Sequence, residues 1–252
     1  MDLKLEGYPI FLKDPVKTLS LLPKQGYSNV NYLAITENAR YLLRKLQPNQ
    51  IDRSFEYRVQ HRAYQRKLGA KPIYYDEEND LMISDFLEGE HKSRLTPREL
   101  RTLAFAVRKL HKIKLRTKPY RFKKAFKPKH TKALHALRKL NKEPKELVLT
   151  HHDLNPRNIL FHNQKVKFID WEYTRLNDRY FDLATIAAEF KLTDKEERYF
   201  LRSYFKNSTR TNLKKLHLYK ALYTILCSLW FKNLDAASHL SIESVEMPSF
   251  RT

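Results

Sequence analysis

The chain has 252 residues, of which 42% are hydrophobic and 12% aromatic, enough to bury a core in one large domain or two small lobes. Its 49 lysine and arginine residues outnumber 28 acids, and the formal charge of +21 would attract phosphate groups, nucleic acid or anionic lipid. The single cysteine, Cys227, excludes an internal disulfide and a cysteine metal cluster. No apolar run reaches membrane-spanning length and the first residues do not resemble a signal peptide, so we expect a soluble cytoplasmic protein.

The first third of the chain predicts a small sheet with one inserted helix. Residues 31–46 contain two runs of β-forming residues around a polar turn and predict a hairpin. Residues 54–69 predict a helix that ends at Gly69, in the C-terminal capping position. Two further strands are predicted at 71–75 and 80–87, on either side of an acidic turn.

The rest of the chain predicts mainly helices. Thr96 as N-cap, Pro97 and the capping-box residue Glu99 begin one of them. Further helices are predicted at 131–142 and at 213–231, where the second half of the segment is apolar nearly all round and therefore predicts a buried helix. Short strands are predicted at 147–150, 159–162 and 165–170. We therefore expect an α+β, bilobal protein with a small β-rich N-terminal lobe (1–88), a larger mainly helical C-terminal lobe (89–252) and a ligand in the cleft between them.

Residues 150–173 (THHDLNPRNILFHNQKVKFIDWEY) bring together side chains that suit phosphoryl transfer. Asp153 lies five residues before Asn158 and seventeen before Asp170, and both aspartates adjoin short apolar strands. Carboxylate and amide oxygens suit Mg²⁺ better than zinc or copper. The spacing matches H-x-D-x-x-x-x-N followed by a metal-binding aspartate. We expect Asp153 to act as the base, Asn158 and Asp170 to hold magnesium, and His151 to brace the loop.

Each of these residues also has a simpler interpretation. A single aspartate is more often a turn residue or a helix cap than a catalytic group. The three residues Asp153, Asn158 and Asp170 at the correct spacing nevertheless favour a kinase-type site. His152 and His162 have no partner at metal-ligand spacing and are interpreted as ordinary loop and strand residues.

The same segment resembles the choline and ethanolamine kinase branch of the aminoglycoside-phosphotransferase-like kinases, in particular the bacterial choline kinases that feed surface phosphocholine. Residues 169–173 (Ile-Asp-Trp-Glu-Tyr) stand where protein kinases carry Asp-Phe-Gly, as is typical of this branch. The resemblance is strongest over 147–190, weaker back to about residue 25 and faint beyond 210. It implies a protein-kinase-like fold, ATP and Mg²⁺ as cofactors, and phosphorylation of choline to phosphocholine.

In the first lobe the resemblance implies a nucleotide site. The segment QGYSNVNYLA is similar to the nucleotide loop of the family. Arg44 matches the basic residue that reaches the phosphates, and Glu56 matches the acid that pairs with it; two surface charges are the alternative. Backbone groups of the segment after the last predicted strand would meet adenine. The implied nucleotide-binding residues are Gly26, Ser28, Asn29, Arg44, Glu56, Asp85, Phe86 and Leu87.

In the second lobe the resemblance implies an acceptor site of acids and aromatic rings, which together hold a quaternary ammonium. The implied residues are Glu172, Tyr173, Glu189, Tyr223 and Trp230. Glu189 falls where the family places an acid that faces choline. Lys220 and Tyr223 occupy the equivalents of paired tryptophans in choline kinases, and packing in the helix core is the alternative for the aromatic residues. Asp182 is expected to tie the catalytic loop to the helix that it starts.

Other functions stay open at this point. Ethanolamine, thiamine and amino sugars present the same hydroxyl and cationic nitrogen as choline. A binding protein of the pseudokinase type would lack Asp153, Asn158 or Asp170, and all three are present. The charge of +21 also fits a basic nucleic-acid-associated, kinase-like protein, which salt-sensitive RNA binding without ATP would distinguish.

Overall fold

A computed structural model describes residues 3, 5–23, 25, 29–206 and 212–238, without the side chains of residues 123, 124 and 233–238. The chain divides into two compact units, of which the first ends at Glu88 and the second begins at Gly89. The first unit is built around a sheet and the second is mainly helical. The predicted α+β class is therefore confirmed.

The first unit contains a five-stranded antiparallel sheet with the order β1-β2-β3-β5-β4. Its strands are β1 (Thr18–Leu21), β2 (Asn29–Ile35), β3 (Arg40–Leu46), β4 (Pro72–Asp76) and β5 (Leu81–Asp85). The helices are α1 (Pro9–Lys13) and α2 (Arg53–Gln65). The predicted hairpin is β2–β3, in which Tyr32 lies opposite Leu43. Neither α1 nor β1 was predicted.

The alternation of β3 separates the core of the first unit from a polar cluster. Tyr41 and Leu43 pack in one hydrophobic core with Phe11 of α1. Arg44 is the next residue, so its side chain leaves the other face of the strand, where it meets Glu56 of α2. The sheet thus directs one basic side chain toward the helix that carries its acidic partner.

The predicted end of α2 was wrong. The helix ends at Gln65, and Lys67 rather than Gly69 takes the left-handed conformation, with φ of 59°. The N–H of Leu68 then donates to the carbonyl of Ala63 at 2.9 Å, and the buried Leu68 side chain adds a hydrophobic contact. The hydrogen bond and the burial of Leu68 thus outweigh the usual preference for glycine at the left-handed position, which Lys67 occupies.

The second unit has six helices among its described residues, together with two antiparallel strand pairs. The helices are α3 (Pro97–Leu110), α4 (Phe122–Ala125), α5 (Thr131–Leu140), α6 (Tyr180–Glu189), α7 (Asp194–Phe205) and α8 (Leu213–Ser238). The strand pairs are β6 (Leu147–Thr150) with β9 (Arg175–Asp178), and β7 (Ile159–His162) with β8 (Lys165–Phe168). A 3₁₀ turn covers Pro156–Asn158. The predicted capping box of Thr96 and Glu99 is confirmed.

The expectation of a buried helix at 213–231 was correct for only part of its surface. Helix α8 packs against α5 and α6 and buries Leu216, Leu222 and Leu226, while Phe231 in its apolar second half is 52% exposed. Within the described residues, every helix is too short or too polar to cross a membrane.

Gly89 begins the second unit at a place where a side chain would not fit. Its φ is +155°, and a Cβ atom would lie 3.1 Å from the Cβ of Leu160 and from the carbonyl oxygen of Phe161. The next residue, Glu90, exchanges both backbone hydrogen bonds with Phe161. The glycine therefore lets the chain lie against β7, the strand that follows the catalytic loop.

Candidate active site

The loop that carries Asp153 follows β6 and is anchored by Asp182 of α6. The fully buried Asp182 carboxylate accepts hydrogen bonds from the N–H groups of His151 (2.8 Å) and His152 (3.0 Å). Its Oδ2 also lies 2.9 Å from His111 Nε2. Burial alone would raise the pKa of Asp182, but His111 and the donated hydrogen bonds hold that pKa below its ordinary value. The expected link between the catalytic loop and α6 is confirmed.

His151 braces the loop from the inside, as expected. Its Nε2 lies 2.9 Å from the carbonyl oxygen of Ile169. The N–H of Ile169 donates to the carbonyl of Asn158 at 3.1 Å. Both backbone groups of Ile169 are thus bonded to the loop, so the next residue, Asp170, is held beside Asn158. Asp170 has a left-handed backbone with φ of 64°, a conformation that aspartate tolerates better than most residues.

Asp153 has the contacts and the pKa of a base. Its Oδ1 accepts from Asn155 Nδ2 at 3.0 Å, and its Oδ2 accepts from Asn158 Nδ2 at 2.7 Å. Burial first, and then the negative charges of Glu172 and Glu189, raise the pKa of Asp153 to about 6, although the hydrogen bonds from the amides of Asn155 and Asn158 act to lower it. The carboxylate is therefore mostly ionised at neutral pH, and its pKa is close enough to that pH for it to accept a proton.

The orientation of Asn158 fits a role as a metal ligand. Its amide nitrogen donates both to the side chain and to the main-chain carbonyl of Asp153, so Oδ1 is the atom that can face a cation. Asp170 supplies a carboxylate from the segment that is hydrogen-bonded to Asn158. Two oxygen donors of this kind fit Mg²⁺.

Three of the predicted acceptor residues lie together near Asp153. Glu172 is buried, and both it and Glu189 are close enough to act on the pKa of Asp153. Tyr223 of α8 donates from its hydroxyl to Glu189 Oε1 at 2.8 Å. Burial, Glu189 and Asp153 all raise the pKa of Tyr223, so this phenol stays protonated and acts as a donor. The cluster thus contains two carboxylates and one phenol.

The other two predicted acceptor residues have different surroundings. Tyr173 is half-buried next to Glu172 and acts on the pKa of Arg175. Trp230 lies seven residues after Tyr223, roughly 10 Å further along α8, where its ring contacts Phe231 edge-to-face. The acceptor role of Trp230 stays a prediction.

In the first unit, the predicted pair of Arg44 and Glu56 is present and buried. Arg44 Nη1 lies 2.5 Å from Glu56 Oε1, and Glu56 is only 1% exposed, so the surface-charge alternative was wrong. Burial alone would raise the pKa of Glu56, but Arg44 and Arg53 together lower that pKa below its ordinary value. Arg53 also donates to Asn29 Oδ1 at 3.0 Å. Arg53 was not predicted, although its i,i+3 spacing from Glu56 is a signal for a helical ion pair.

The other predicted nucleotide residues have mixed outcomes. Gly26 and Ser28 lie outside the described residues. The N–H of Asp85 donates to Lys71 and the N–H of Phe86 donates to Arg40, both at 2.9 Å. These two N–H groups are already hydrogen-bonded within the first unit. The groups that could still contact adenine, as predicted, are therefore the backbone of Leu87 and the carbonyl groups of Asp85 and Phe86.

Similarity to known proteins identifies the family of this chain. The model of the phosphotransferase enzyme family, APH, matches residues 21–147 and 116–219, and the chain therefore belongs to this family. Protein LicA of Haemophilus influenzae is 34% identical over 97 residues, which are 35% of this chain and 36% of LicA. The match thus spans about a third of that relative's length.

Solved structures show that the fold is shared over most of the chain. Choline kinase LicA from Streptococcus pneumoniae is 22% identical, with a TM-score of 0.78 over 93% of this chain and 90% of that chain. A structure of LicA in complex with AMP is also 22% identical, with a TM-score of 0.60 over 87% of this chain and 84% of that chain. The predicted kinase-like fold is confirmed.

His152 lies in the loop, as predicted, and the structure adds that it is buried and neutral. Its ring stacks on Phe181 with centroids 4.1 Å apart, and Nε2 lies 3.0 Å from Asn177 Nδ2, which donates to it. Burial lowers the pKa of His152 from 6.5 to about 3. The backbone is left-handed, with φ of 74°. These contacts fix the residue that immediately precedes Asp153.

The depressed pKa of His152 predicts a loss of stability in acid. As the pH falls below 6.5 the unfolded chain binds a proton that the folded chain takes up only near pH 3, so stability decreases across that range. At pH 5, protonation of His152 in the unfolded chain lowers the free energy of unfolding by about 2 kcal/mol. His152→Asn, which tolerates a left-handed backbone, should therefore show a smaller decrease in Tm between pH 7 and pH 5 than the wild type.

Differential scanning calorimetry at the two pH values checks this prediction. His162→Asn, at the exposed end of β7, is the matched control and should retain the wild-type pH dependence. Equal decreases in Tm for His152→Asn and the wild type would contradict it.

Proposed function

We propose that this chain is an ATP- and Mg²⁺-dependent kinase that phosphorylates the hydroxyl of a small amino alcohol, with choline as the first choice. The observation that carries the proposal is the position of Asp153, hydrogen-bonded to Asn158 and surrounded by the carboxylates of Glu172 and Glu189. A base beside a predicted metal ligand suits phosphoryl transfer, and the surrounding acids suit a cationic acceptor.

In the proposed reaction, Asp153 accepts the proton of the acceptor hydroxyl as that oxygen attacks the terminal phosphorus of ATP, the bond from this phosphorus to the bridging oxygen breaks, and ADP leaves. Asn155 and Asn158 fix the carboxylate through their amide groups, so the base is oriented before the acceptor binds. Asn158 and Asp170 would hold Mg²⁺, which supplies charge neutralisation on the phosphates. The protein contributes mainly orientation and electrostatics, with no covalent intermediate.

The proposed acceptor site selects charge more than shape. Glu172 and Glu189 attract a cationic nitrogen, and the Tyr223 ring offers a face to a quaternary ammonium. The similarity to choline kinase LicA favours choline. Ethanolamine, thiamine and amino sugars share the hydroxyl and the cationic nitrogen, so they are the alternatives within the same mechanism.

The proposed nucleotide residues are those of the first unit. Arg44 is held in place by Glu56, and Asn29 is held by Arg53, so both side chains are ordered before a nucleotide binds. Gly26, Ser28 and the segment Asp85 to Leu87 complete the proposed set. The AMP complex of LicA supports nucleotide binding by this fold. A reaction that consumes ATP would place the protein in the cytoplasm.

ATP consumption by the purified protein with Mg²⁺ tests the proposal against choline, ethanolamine, thiamine and aminoglycosides. We expect choline to stimulate turnover. Stimulation by another member of the panel would keep the mechanism and replace the acceptor. Silence across the panel, together with salt-sensitive RNA binding in the absence of ATP, would overturn the proposal in favour of a nucleic-acid partner.

Asp153→Ala should abolish transfer and leave nucleotide binding intact. Removal of the general base is expected to lower kcat by about 10²-fold to 10⁴-fold, while the Kd of ATP·Mg²⁺ changes by less than about threefold. Single-turnover kinetics and calorimetric titration measure the two effects. Glu90→Gln, an exposed acid outside the site, is the control. Equal losses of binding and transfer would make Asp153 a structural residue.

Asp170→Ala should weaken metal-dependent nucleotide binding. Loss of a carboxylate ligand is expected to raise the Mg²⁺ concentration needed for half-maximal ATP binding by about tenfold or more. The measurement is a nucleotide titration at several Mg²⁺ concentrations, with Glu90→Gln again as the control. An unchanged Mg²⁺ dependence would exclude Asp170 as a ligand.

A further inference from the structure

We propose that Glu197 of α7 determines acceptor selectivity by holding the ammonium group of Lys220 away from the acceptor residues Glu189 and Tyr223. The inference rests on the proposed function, because it concerns how a cationic acceptor is bound. Glu197 would be a positioning residue that acts through Lys220 and does not itself touch the acceptor.

Lys220 lies within reach of the acceptor cluster. It precedes Tyr223 by three residues on α8, and side chains at this spacing are neighbours on one face of a helix. The Tyr223 hydroxyl is in turn bonded to Glu189. A lysine has a flexible four-carbon stem, so a released ammonium group at this position would find Glu189 as an acidic partner.

Glu197 prevents Lys220 from pairing with Glu189 by holding the ammonium group in an ion pair of its own. The Glu197 side chain is only 1% exposed, and its Oε1 pairs with Lys220 Nζ. Its Oε2 lies 2.6 Å from Nε2 of His217, one turn earlier on α8. A buried carboxylate that loses its partners is strongly unfavourable, so the structure has a physical reason to keep Lys220 in this pair.

The same contacts explain why this acidic group is not itself proposed as a metal site. Asp194, Glu197 and His217 offer ligand atoms within 4.8 Å of one another. Lys220 already supplies a positive charge to Glu197, and a divalent cation would have to displace it. The ammonium of Lys220 therefore occupies the role that a metal ion could otherwise take.

The expected consequence is an acceptor site that keeps its negative charge. With Lys220 bound to Glu197, its ammonium group does not neutralise Glu189, so the negative charge of Glu189 can attract a cationic acceptor. A released ammonium would neutralise Glu189 and repel the acceptor nitrogen. A like charge about 6 Å away, at an effective dielectric constant of about 40, weakens binding roughly tenfold.

Three variants test the proposal: Glu197→Gln, Lys220→Met and the double variant Glu197→Gln/Lys220→Met. The two acceptors are choline and 3,3-dimethylbutan-1-ol, which has the shape of choline with a carbon in place of the charged nitrogen. Glu197→Gln should raise the KM for choline about tenfold, with much less effect on the neutral alcohol and on the KM for ATP. The double variant should recover the wild-type KM for choline, because no ammonium remains to be released.

Two results would overturn the proposal. One is an equal rise in KM for choline and for the neutral alcohol in Glu197→Gln. The other is a double variant that remains as impaired as Glu197→Gln. Either result would mean that the pair only fastens α7 to α8. Thermal unfolding of all three variants separates a loss of folding from a loss of selectivity.

Calorimetric titration of choline into each variant keeps this inference separate from the proposed reaction. Choline binding without turnover in the wild type would contradict the kinase reaction, while a tenfold weaker Kd in Glu197→Gln alone would still support the role of Glu197. Turnover of choline with no difference between wild type and Glu197→Gln would overturn only the present inference. If the wild type neither binds nor phosphorylates choline, both the proposed function and the present inference are overturned.

Discussion

The second unit depends on one buried carboxylate. Asp182 is fully buried and accepts hydrogen bonds from the backbone of the two residues that precede Asp153. An irregular loop inside a protein needs partners for its N–H groups, and a charged acceptor provides strong ones. His111, the C-cap residue of α3, bonds the same carboxylate, and its Nδ1 lies 2.7 Å from the Tyr204 hydroxyl of α7. Three helices therefore determine where the catalytic loop lies, and the position of Asp153 follows from their packing.

The distribution of charge suits this arrangement. The chain carries +21, with no acidic residue between Glu99 and Glu143, whereas the predicted catalytic and acceptor segments concentrate carboxylates. Two lysines of α8 are bound by acids of their own: Lys215 pairs with Asp178 at 2.7 Å and Lys220 pairs with Glu197. Such buried pairs contribute little net stability, because desolvation offsets most of the attraction. Their effect is positional, since they fix where the positive charges of a basic protein lie.

Local signals in the sequence predicted local structure. The capping box at Thr96 follows from residues within a few positions of one another. The same is true of the turn at Asn163-Gln164, in which both residues have a left-handed backbone. The spacing of Asp153 and Asn158 was also visible. The pairing of β6 with β9 was not, because it joins segments 25 residues apart through hydrogen bonds that leave no periodicity in the sequence. The burial of His152 was missed for the same reason: its partners, Asn177 and Phe181, come from a distant segment.

The two left-handed residues of the site show how packing and chemistry are connected. His152 precedes Asp153, and Asp170 is itself the proposed metal ligand, so each unusual backbone conformation lies next to or at a group on which the proposed reaction depends. A left-handed conformation costs of order 1 kcal/mol or more for a residue other than glycine. Hydrogen bonds offset that cost: Asp182 accepts from the N–H of His152, and the residue before Asp170 is bonded on both of its backbone groups. The surroundings therefore hold both turns in place, and the same carboxylate of Asp182 that orders the loop also stabilises the conformation from which Asp153 projects.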